Sequence, residues 1–234
     1  MGPGGGRLLG VGCVSPHDPL AALEEFRNIR DLGLAGAMFP ADGTHLLGSR
    51  CWDPLYEEAA QAGLPIAVHA AGTHLAGRSF PRFIQVHAYN HPASVIAQFT
   101  SMILGGVPSR FPTLKLGFIE IGVTWLPRYL DRLDEEYDLR GAEEASELTT
   151  CPSEAVCAGH CYFGAEVNER LLPATLSLFR FPRVMYGSDW PHWDSDYPAS
   201  IEFLRKRSDL TTEQWLGLSE RAATHFYSLQ SPRA

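Results

Sequence analysis

Residues 115–137 read KLGFIEIGVTWLPRYLDRLDEEY, an apolar stretch followed by an amphipathic one. In the first six residues, four apolar residues stand between Lys115 and Glu120, which is typical of a short strand buried on both faces. Four larger side chains then recur at helical spacing with charged residues between them, which predicts a helix with one buried face. They are Leu126, Leu130, Leu133 and Tyr137. A buried strand followed by an amphipathic helix is one β/α unit.

The same alternation recurs along the whole chain. Asp18 before Pro19 predicts the start of a helix that ends at Gly33, with one face traced at spacings of three by Leu20, Leu23, Phe26, Ile29 and Leu32. Asp53-Pro54 is predicted to cap a second helix that ends at Gly63. Further helices are predicted over 92–104, near 171–179 and in two C-terminal segments, the last with a capping box at Thr211. The predicted strands are 7–14, 34–39, 65–69, 115–120, 160–164 and 183–187. Residues 139–159 lack a pattern and predict a surface excursion.

Six strands that alternate with helices predict a parallel sheet in an α/β fold. An open doubly wound sheet and a closed (β/α) TIM-type barrel both fit this alternation. The chain has no GxGxxG and no GxxxxGK[ST] motif, so the nucleotide-binding forms of the open sheet lose support. A closed barrel has eight strands. We therefore expect an incomplete barrel of about six strands in one domain over residues 7–234, after a flexible Gly-rich start at residues 1–6.

Composition excludes several functional classes. The net charge of −8 argues against nucleic-acid binding, which needs clustered Lys and Arg. No segment is predicted to be a signal peptide or a membrane span, so no membrane partner is expected. The five cysteines form no CxxC pair, which favours reduced thiols in a cytoplasmic protein.

Three predicted strands end in potential metal ligands. His69 ends the third strand, Glu120 ends the fourth, and Asp189 follows the sixth. In a barrel these positions face the active site, and these residue types suit one divalent ion. Glu120 and Asp189 are therefore candidate catalytic residues as well as ligands, and an Asp beside a metal also carries protons. The alternatives are a core role for His69 and a turn-capping role for Asp189.

Other residues near these strand ends are predicted to contact substrate or to lie over the pocket. Trp190 and His192, directly after Asp189, are candidate substrate-binding residues. His87 and His91 share helical spacing, but Pro92 predicts that His91 precedes a helix. Residues 80–89 are accordingly predicted to be a loop over the pocket mouth, and metal binding by the two histidines is the less favoured interpretation.

Taken together, these residues resemble the amidohydrolase superfamily, and within it the branch named for aminocarboxymuconate semialdehyde decarboxylase. The similarity runs from about Asp18 to Tyr227. It is carried by four segments in the family's order: DPLAALEEFRNIRDLGLAGAMFP, WDPLYEEAAQAGLPIAVH, RFPTLKLGFIEIGVTWLPRYLDRLDE and RVMYGSDWPHWDSDYP. The closing GLSERAATHFY is similar to the family's terminal helix.

The resemblance implies a metal-dependent carboxy-lyase or hydrolase that acts on a small, often aromatic, carboxylate. It implies one divalent ion, usually zinc with manganese as the alternative, and a metal-bound water. His69 matches the family's strand-five ligand. Asp189 matches the strand-eight aspartate that binds metal and carries a proton. Glu120 stands where the family usually has histidine.

One departure supports a different interpretation. The family's first strand carries a His-x-His pair, and this sequence contains no HxH. With the strand count, this indicates that the first two β/α units are absent, through truncation or an incomplete gene model. The chain would then be an inactive barrel fragment that acts as a binding module. Open edge strands also favour pairing with a second copy, so a homodimer is an expected assembly. An open α/β sheet unrelated to metals is the third interpretation.

Overall fold

The computed structural model describes residues 8–71, 79–179 and 182–229. The predicted Gly-rich start at residues 1–6 lies outside them. Six parallel strands form one sheet, as the sequence predicts. The strands are β1 (Gly12–Cys13), β2 (Ala37–Pro40), β3 (Ile66–His69), β4 (Leu116–Ile119), β5 (Cys161–Ala165) and β6 (Val184–Tyr186).

The order of the strands distinguishes the two predicted architectures. Each strand pairs with its neighbours in sequence, in the order β1-β2-β3-β4-β5-β6. A doubly wound sheet reverses its strand order at a switch point, and this sheet does not. Within the described residues β1 and β6 do not pair, so the sheet has the sequential order of a barrel but stays open.

Ten α-helices are described around this sheet. They are α1 (Pro19–Asp31), α2 (Asp53–Ala62), α3 (Phe83–Leu104), α4 (Val107–Arg110), α5 (Leu126–Glu144), α6 (Pro152–Ala158), α7 (Leu172–Leu176), α8 (Ala199–Arg205), α9 (Thr212–Leu216) and α10 (Ala222–Phe226). A π-helical segment, Gly217–Arg221, joins the last two. Within the described ranges, no helix combines the length and hydropathy that crossing a bilayer requires.

Three local signals at the helix ends are confirmed, but the predicted cap at Asp53 is wrong, because Asp53 is the first residue of α2 and Trp52 precedes it without a side-chain cap. Asp18 Oδ1 accepts hydrogen bonds from the backbone amides of Leu20 and Ala21, 2.9 and 3.3 Å away, so it caps α1. Gly63 ends α2 with φ 65°, a conformation that favours glycine. Thr211 and Gln214 form the predicted capping box of α9.

The two faces of the sheet carry different cores, because successive strand residues point to opposite faces. One face belongs to the main hydrophobic core, and its strand residues include Phe39, Val68, Phe118, Phe163 and Val184. The other face carries a small cluster that contains Met38, Ala67, Ile119, Tyr162 and Met185 from the strands. Ala222 and Phe226 of α10 complete that second cluster, so the C-terminal helix packs on this second face of the sheet. We call it the inner face, and the face of the main core the outer face.

The predicted loop over 80–89 is wrong. The helix α3 begins at Phe83 and runs for 22 residues through Pro92. A proline inside a helix removes the hydrogen bond to the carbonyl four residues earlier. Here that carbonyl belongs to Ala88, which is exposed, so water can replace the lost donor. His87 and His91 therefore lie on one face of a helix.

Two other boundaries differ from the prediction. The segment 139–159 is not a surface excursion, because α5 continues to Glu144 and α6 follows, with Leu148 and Val156 buried. The first strand is shorter than the predicted 7–14. Backbone hydrogen bonds to the β2 segment extend from Gly10 to Val14, and Leu8 and Leu9 lie beyond that ladder and are exposed.

The predicted apolar face of α1 is only partly buried. Phe26 and Ile29 are buried, but Leu20 and Leu32 are 76% and 75% exposed. A spacing of three turns the side chain by about 300° per step, so five residues at that spacing drift around much of the helix. Ala22, which the spacing omits, is the remaining buried residue of α1.

We expect Phe26→Ala to lower the free energy of unfolding by about 3–5 kcal/mol, because it removes a fully buried ring from the main core. Leu20→Ala on the same helix is the matched control and should change that free energy by less than about 0.5 kcal/mol. Urea unfolding followed by circular dichroism measures both. Equal losses for the two variants would contradict the burial of α1 described here.

Candidate active site

A cavity of about 660 Å³ lies at the C-terminal edge of the sheet. Four neighbouring strands each place one titratable residue in its wall. His69 ends β3, Glu120 follows β4, Glu166 follows β5, and Asp189 lies three residues after β6. Parallel strands bring their carboxyl ends to one edge, so residues far apart in sequence share this cavity.

Glu120 is the buried acid of the cavity. Its side chain is only 9% exposed, and its backbone has φ 71°, in the left-handed region that residues with a Cβ rarely adopt. Asp189 shares this feature with φ 54°, and Ser228 is the one other non-glycine residue with positive φ in the described chain. Unfavourable backbone conformations persist where the surrounding structure enforces them, and they concentrate at functional sites.

Three histidines surround the Glu120 carboxylate. His69 Nδ1 lies 2.8 Å from Oε2, His192 Nδ1 lies 3.3 Å from Oε1, and His91 Nε2 lies 3.7 Å from Oε2. His91 Nε2 is also 3.1 Å from the backbone carbonyl oxygen of Glu120. The three rings come from β3, from α3 and from the loop after β6, so the tertiary fold assembles them.

The buried oxygen of Glu120 nevertheless lacks a hydrogen bond. His69 Nδ1 lies 2.7 Å from the carbonyl oxygen of Ala70, to which it donates, and 2.8 Å from Oε2. Among the described residues Glu120 Oε2 has no hydrogen-bond partner. Burial lowers the pKa of His69, but the Glu120 carboxylate, the Ala70 carbonyl and Asp189 raise it, and the net pKa lies above its ordinary value.

Asp189 and His192 form a more exposed pair. His192 Nδ1 lies 2.6 Å from Asp189 Oδ1, and this contact raises the pKa of His192. The two side chains are 39% and 53% exposed, in contrast to Glu120. The pair is therefore open to solvent at the mouth of the cavity, and a proton can move between its two atoms.

The donor atoms are close enough together for one divalent cation. One ligand atom each from Glu120, Asp189 and His192 lies within 4.8 Å of the others, and this is the one such group found in the described part of the chain. Carboxylate and imidazole ligands lie about 2.0–2.2 Å from zinc, so two ligands in tetrahedral geometry are about 3.4 Å apart. His69 is outside this group but lies beside Glu120. The orphaned Oε2 and this donor set fit a metal ion.

The other predicted site residues also line the cavity. Trp190 is 67% exposed and stands at the mouth. His192, predicted to bind substrate, contacts both Asp189 and Glu120. The predicted ligands His69, Glu120 and Asp189 thus meet in one place, and the structure adds His192 to their neighbours.

Two cavity residues were missed as site residues by the sequence analysis. His91 lines the cavity, and its spacing from His87 was the available signal. Glu166 directly follows β5, the next strand after β4. The rule that residues at strand ends face the active site, which identified Glu120, would also have identified Glu166. Burial, followed by the carboxylates of Glu169 and Asp189, raises the pKa of Glu166.

Glu169 fixes the loop that follows Glu120. Its Oε1 accepts hydrogen bonds from the backbone amides of Val123 and Thr124, both at 2.7 Å, and its Oε2 accepts one from Glu166 at 3.1 Å. Gly122 has φ 65°, and a Cβ there would lie 2.6 Å from Glu169 Oε1. The loops after β4 and β5 are therefore tied together beside the cavity.

The chain is similar to known proteins in sequence and in fold. The sequence is 26% identical over 220 residues to 2-amino-3-carboxymuconate-6-semialdehyde decarboxylase from Dictyostelium discoideum, covering 90% of this chain and 59% of that protein. The fold is similar to 5-carboxyvanillate decarboxylase from Sphingomonas paucimobilis, with a TM-score of 0.79 and 20% identity over 96% of this chain and 68% of the other. The chain thus spans less than two thirds of the length of its Dictyostelium relative.

A second solved structure is similar and contains a metal. It is 5-carboxyvanillate decarboxylase from Novosphingobium aromaticivorans with bound manganese and a nitrobenzoic acid, with a TM-score of 0.77 and 18% identity over 95% of this chain and 66% of the other. These likenesses confirm the predicted barrel-type α/β fold. The amidohydrolase family matches over residues 2–227. Because that match spans nearly the whole sequence, the chain belongs to the amidohydrolase family.

Proposed function

We propose that this chain carries a divalent-metal site for the non-oxidative decarboxylation of a small aromatic carboxylate. The single observation that carries the proposal is the buried Glu120 oxygen, which accepts no hydrogen bond from the described residues and faces a cluster of metal-binding side chains. A buried carboxylate without a compensating partner is costly, and a cation at this position would remove that cost.

The proposed ligands are His69, Glu120 and Asp189. With Nδ1 donating to the Ala70 carbonyl, His69 leaves Nε2 unprotonated and free to bind metal, which is the usual way in which a backbone carbonyl orients a ligand histidine. His192 belongs to the compact group with Glu120 and Asp189, but its Nδ1 is already held by Asp189 at 2.6 Å. We therefore assign His192 to proton transfer and His69 to the third ligand position. The alternative is an ion pair between Glu120 and protonated histidines.

Decarboxylation requires little of the protein beyond binding, orientation and one proton. The bond between the ring carbon and the carboxylate carbon breaks, CO2 leaves, and a new C–H bond forms at the ring carbon. A divalent ion, when bound, would polarise the substrate and stabilise developing negative charge. The Asp189–His192 pair would supply the proton from the solvent-exposed side of the cavity.

Hydrolysis of a C–O or C–N bond is the second candidate activity, because the same acids could activate water. Similarity to decarboxylases favours the lyase reaction. The inactive fragment remains the contrasting proposal, motivated by the absence of HxH from the sequence.

Three finer expectations are also proposals. Zinc suits the ligand types, and manganese is present in one similar structure. A cytoplasmic location is supported by the free thiols of all five cysteines. A homodimer is supported by the short edge strand β1, whose outer side is unpaired in the described chain.

We expect the purified chain to contain about one equivalent of zinc or manganese, measured by inductively coupled plasma mass spectrometry. Glu120→Gln, Asp189→Asn and His69→Asn should each reduce this to about a tenth or less, because each removes a ligand. Glu166→Gln and His87→Asn are matched controls that alter cavity residues outside the proposed ligand set, and both should retain the metal.

Metal lost equally from controls and ligand variants would contradict the ligand assignment. A wild-type chain without metal, even after incubation with either ion, would instead support the Glu120–histidine ion pair and the inactive fragment.

We expect His192→Asn to retain the metal but to lower kcat by about 100-fold or more, since a positioned proton donor typically contributes that much. The measurement is CO2 release from 2,6-dihydroxybenzoate and from 5-carboxyvanillate. The control is His87→Asn, which changes a cavity histidine that does not contact Asp189. An unchanged kcat in His192→Asn would exclude this residue as the proton partner.

A further inference from the structure

The C-terminal helix forms part of the cavity wall. Ala223, near the beginning of α10, and Tyr227, directly after its end, line the same cavity as Glu120 and Asp189. The π-helical segment Gly217–Arg221 precedes α10, and such segments shift the faces of a helix and often occur at functional sites. The last turn of the chain that the structure describes is therefore close to the proposed chemistry.

This position is fixed by packing against the inner face of the sheet. The Phe226 ring is fully buried and lies against Gly117 of β4, where a Cβ would come within 2.7 Å of the ring. Its centroid is 5.0 Å from that of Tyr162 on β5 and 4.8 Å from that of Tyr227. Only a glycine at position 117 leaves room for this ring, so the sheet is shaped to receive the helix.

Lys115 anchors the end of the helix. Its Nζ donates hydrogen bonds to the backbone carbonyls of His225 and Phe226, at 2.8 and 3.3 Å, and lies 2.5 Å from Ser228 Oγ. A cation at the C-terminus of a helix satisfies its free carbonyls and interacts favourably with the helix dipole. Lys115 directly precedes β4 and Glu120 directly follows it, so one strand positions both the helix and the buried acid.

The cavity has few donors for an anionic substrate. Among the described residues that line it there is no Lys or Arg. Most of its hydroxyl and amide groups are already engaged: Tyr186 with Ser200, Ser195 with the Ser188 carbonyl, and Asn168 with Asp196. The Tyr227 hydroxyl, in contrast, forms no hydrogen bond with any residue that the structure describes.

We infer that Tyr227 contacts the substrate through its hydroxyl, as a hydrogen-bond donor to a carboxylate or phenol oxygen of an aromatic acid, and that Lys115 is the positioning residue that holds it there. This inference rests on the proposed function, since it assumes that the cavity receives an aromatic carboxylate. It adds a donor that comes from the last helix and not from a strand end.

The test is the affinity of the metal-loaded chain for 2,6-dihydroxybenzoate, measured by isothermal titration calorimetry. Tyr227→Phe should raise Kd about tenfold or more, because it removes one hydrogen bond to a charged or strongly polar oxygen and leaves the ring. Lys115→Met should also raise Kd, and it should speed hydrogen exchange of the amides of residues 222–229 by about tenfold. Lys206 is the chain's one other lysine and is exposed, so Lys206→Met should change neither the Kd nor the exchange rate.

Metal content separates this inference from the proposed function. Equal Kd values for wild type and Tyr227→Phe, with metal retained, would overturn the role of Tyr227 and leave the metal site unaffected. A wild-type chain that holds metal but does not bind the probe would also overturn the inference. If Lys115→Met lowers the melting temperature but changes neither Kd nor kcat/KM, Lys115 has a structural role only. That outcome would overturn its assignment as a positioning residue.

Discussion

The carboxylate of Glu120 lies at the end of β4, buried and with one oxygen that accepts no hydrogen bond from the described residues. A charge in this position needs a compensating cation or donors, and the neighbouring elements supply side chains that can provide them. The left-handed backbone at this residue, and the hydrogen bonds from the following loop to Glu169, keep the carboxylate inside the cavity. The site is organised around that one group.

The acids of the cavity have different environments, which suits different roles. Glu120 is sequestered, whereas Asp189 and His192 are exposed enough to exchange protons with water. A fixed buried carboxylate is suited to hold a cation, and a solvent-exposed carboxylate–imidazole pair is suited to deliver protons. Glu120 thus lies on the buried side of the cavity, whereas Asp189, the second proposed acidic ligand, also belongs to the proton-transferring pair on the exposed side.

The two faces of the sheet have different roles: one carries the main hydrophobic core, and the other lies next to the cavity. The outer face carries the main core, into which α1, α2, α3 and α5 pack. The inner face has a small cluster completed by Phe226, and the cavity opens next to it. Because Gly117 leaves space for Phe226 and Lys115 anchors the helix end, β4 connects the C-terminal helix to the site.

Local sequence determined the elements that depend on neighbouring residues: the six strands, the caps at Asp18, Gly63 and Thr211, and the strand-end positions of His69 and Glu120. Short-range steric and hydrogen-bonding rules suffice for these features. Tertiary structure alone decided that α3 continues through Pro92, which residues of α1 are buried, and that His91, Glu166 and Tyr227 share a cavity with Asp189. Those outcomes depend on contacts between residues distant in sequence, because packing determines which helix face is covered and which side chains meet.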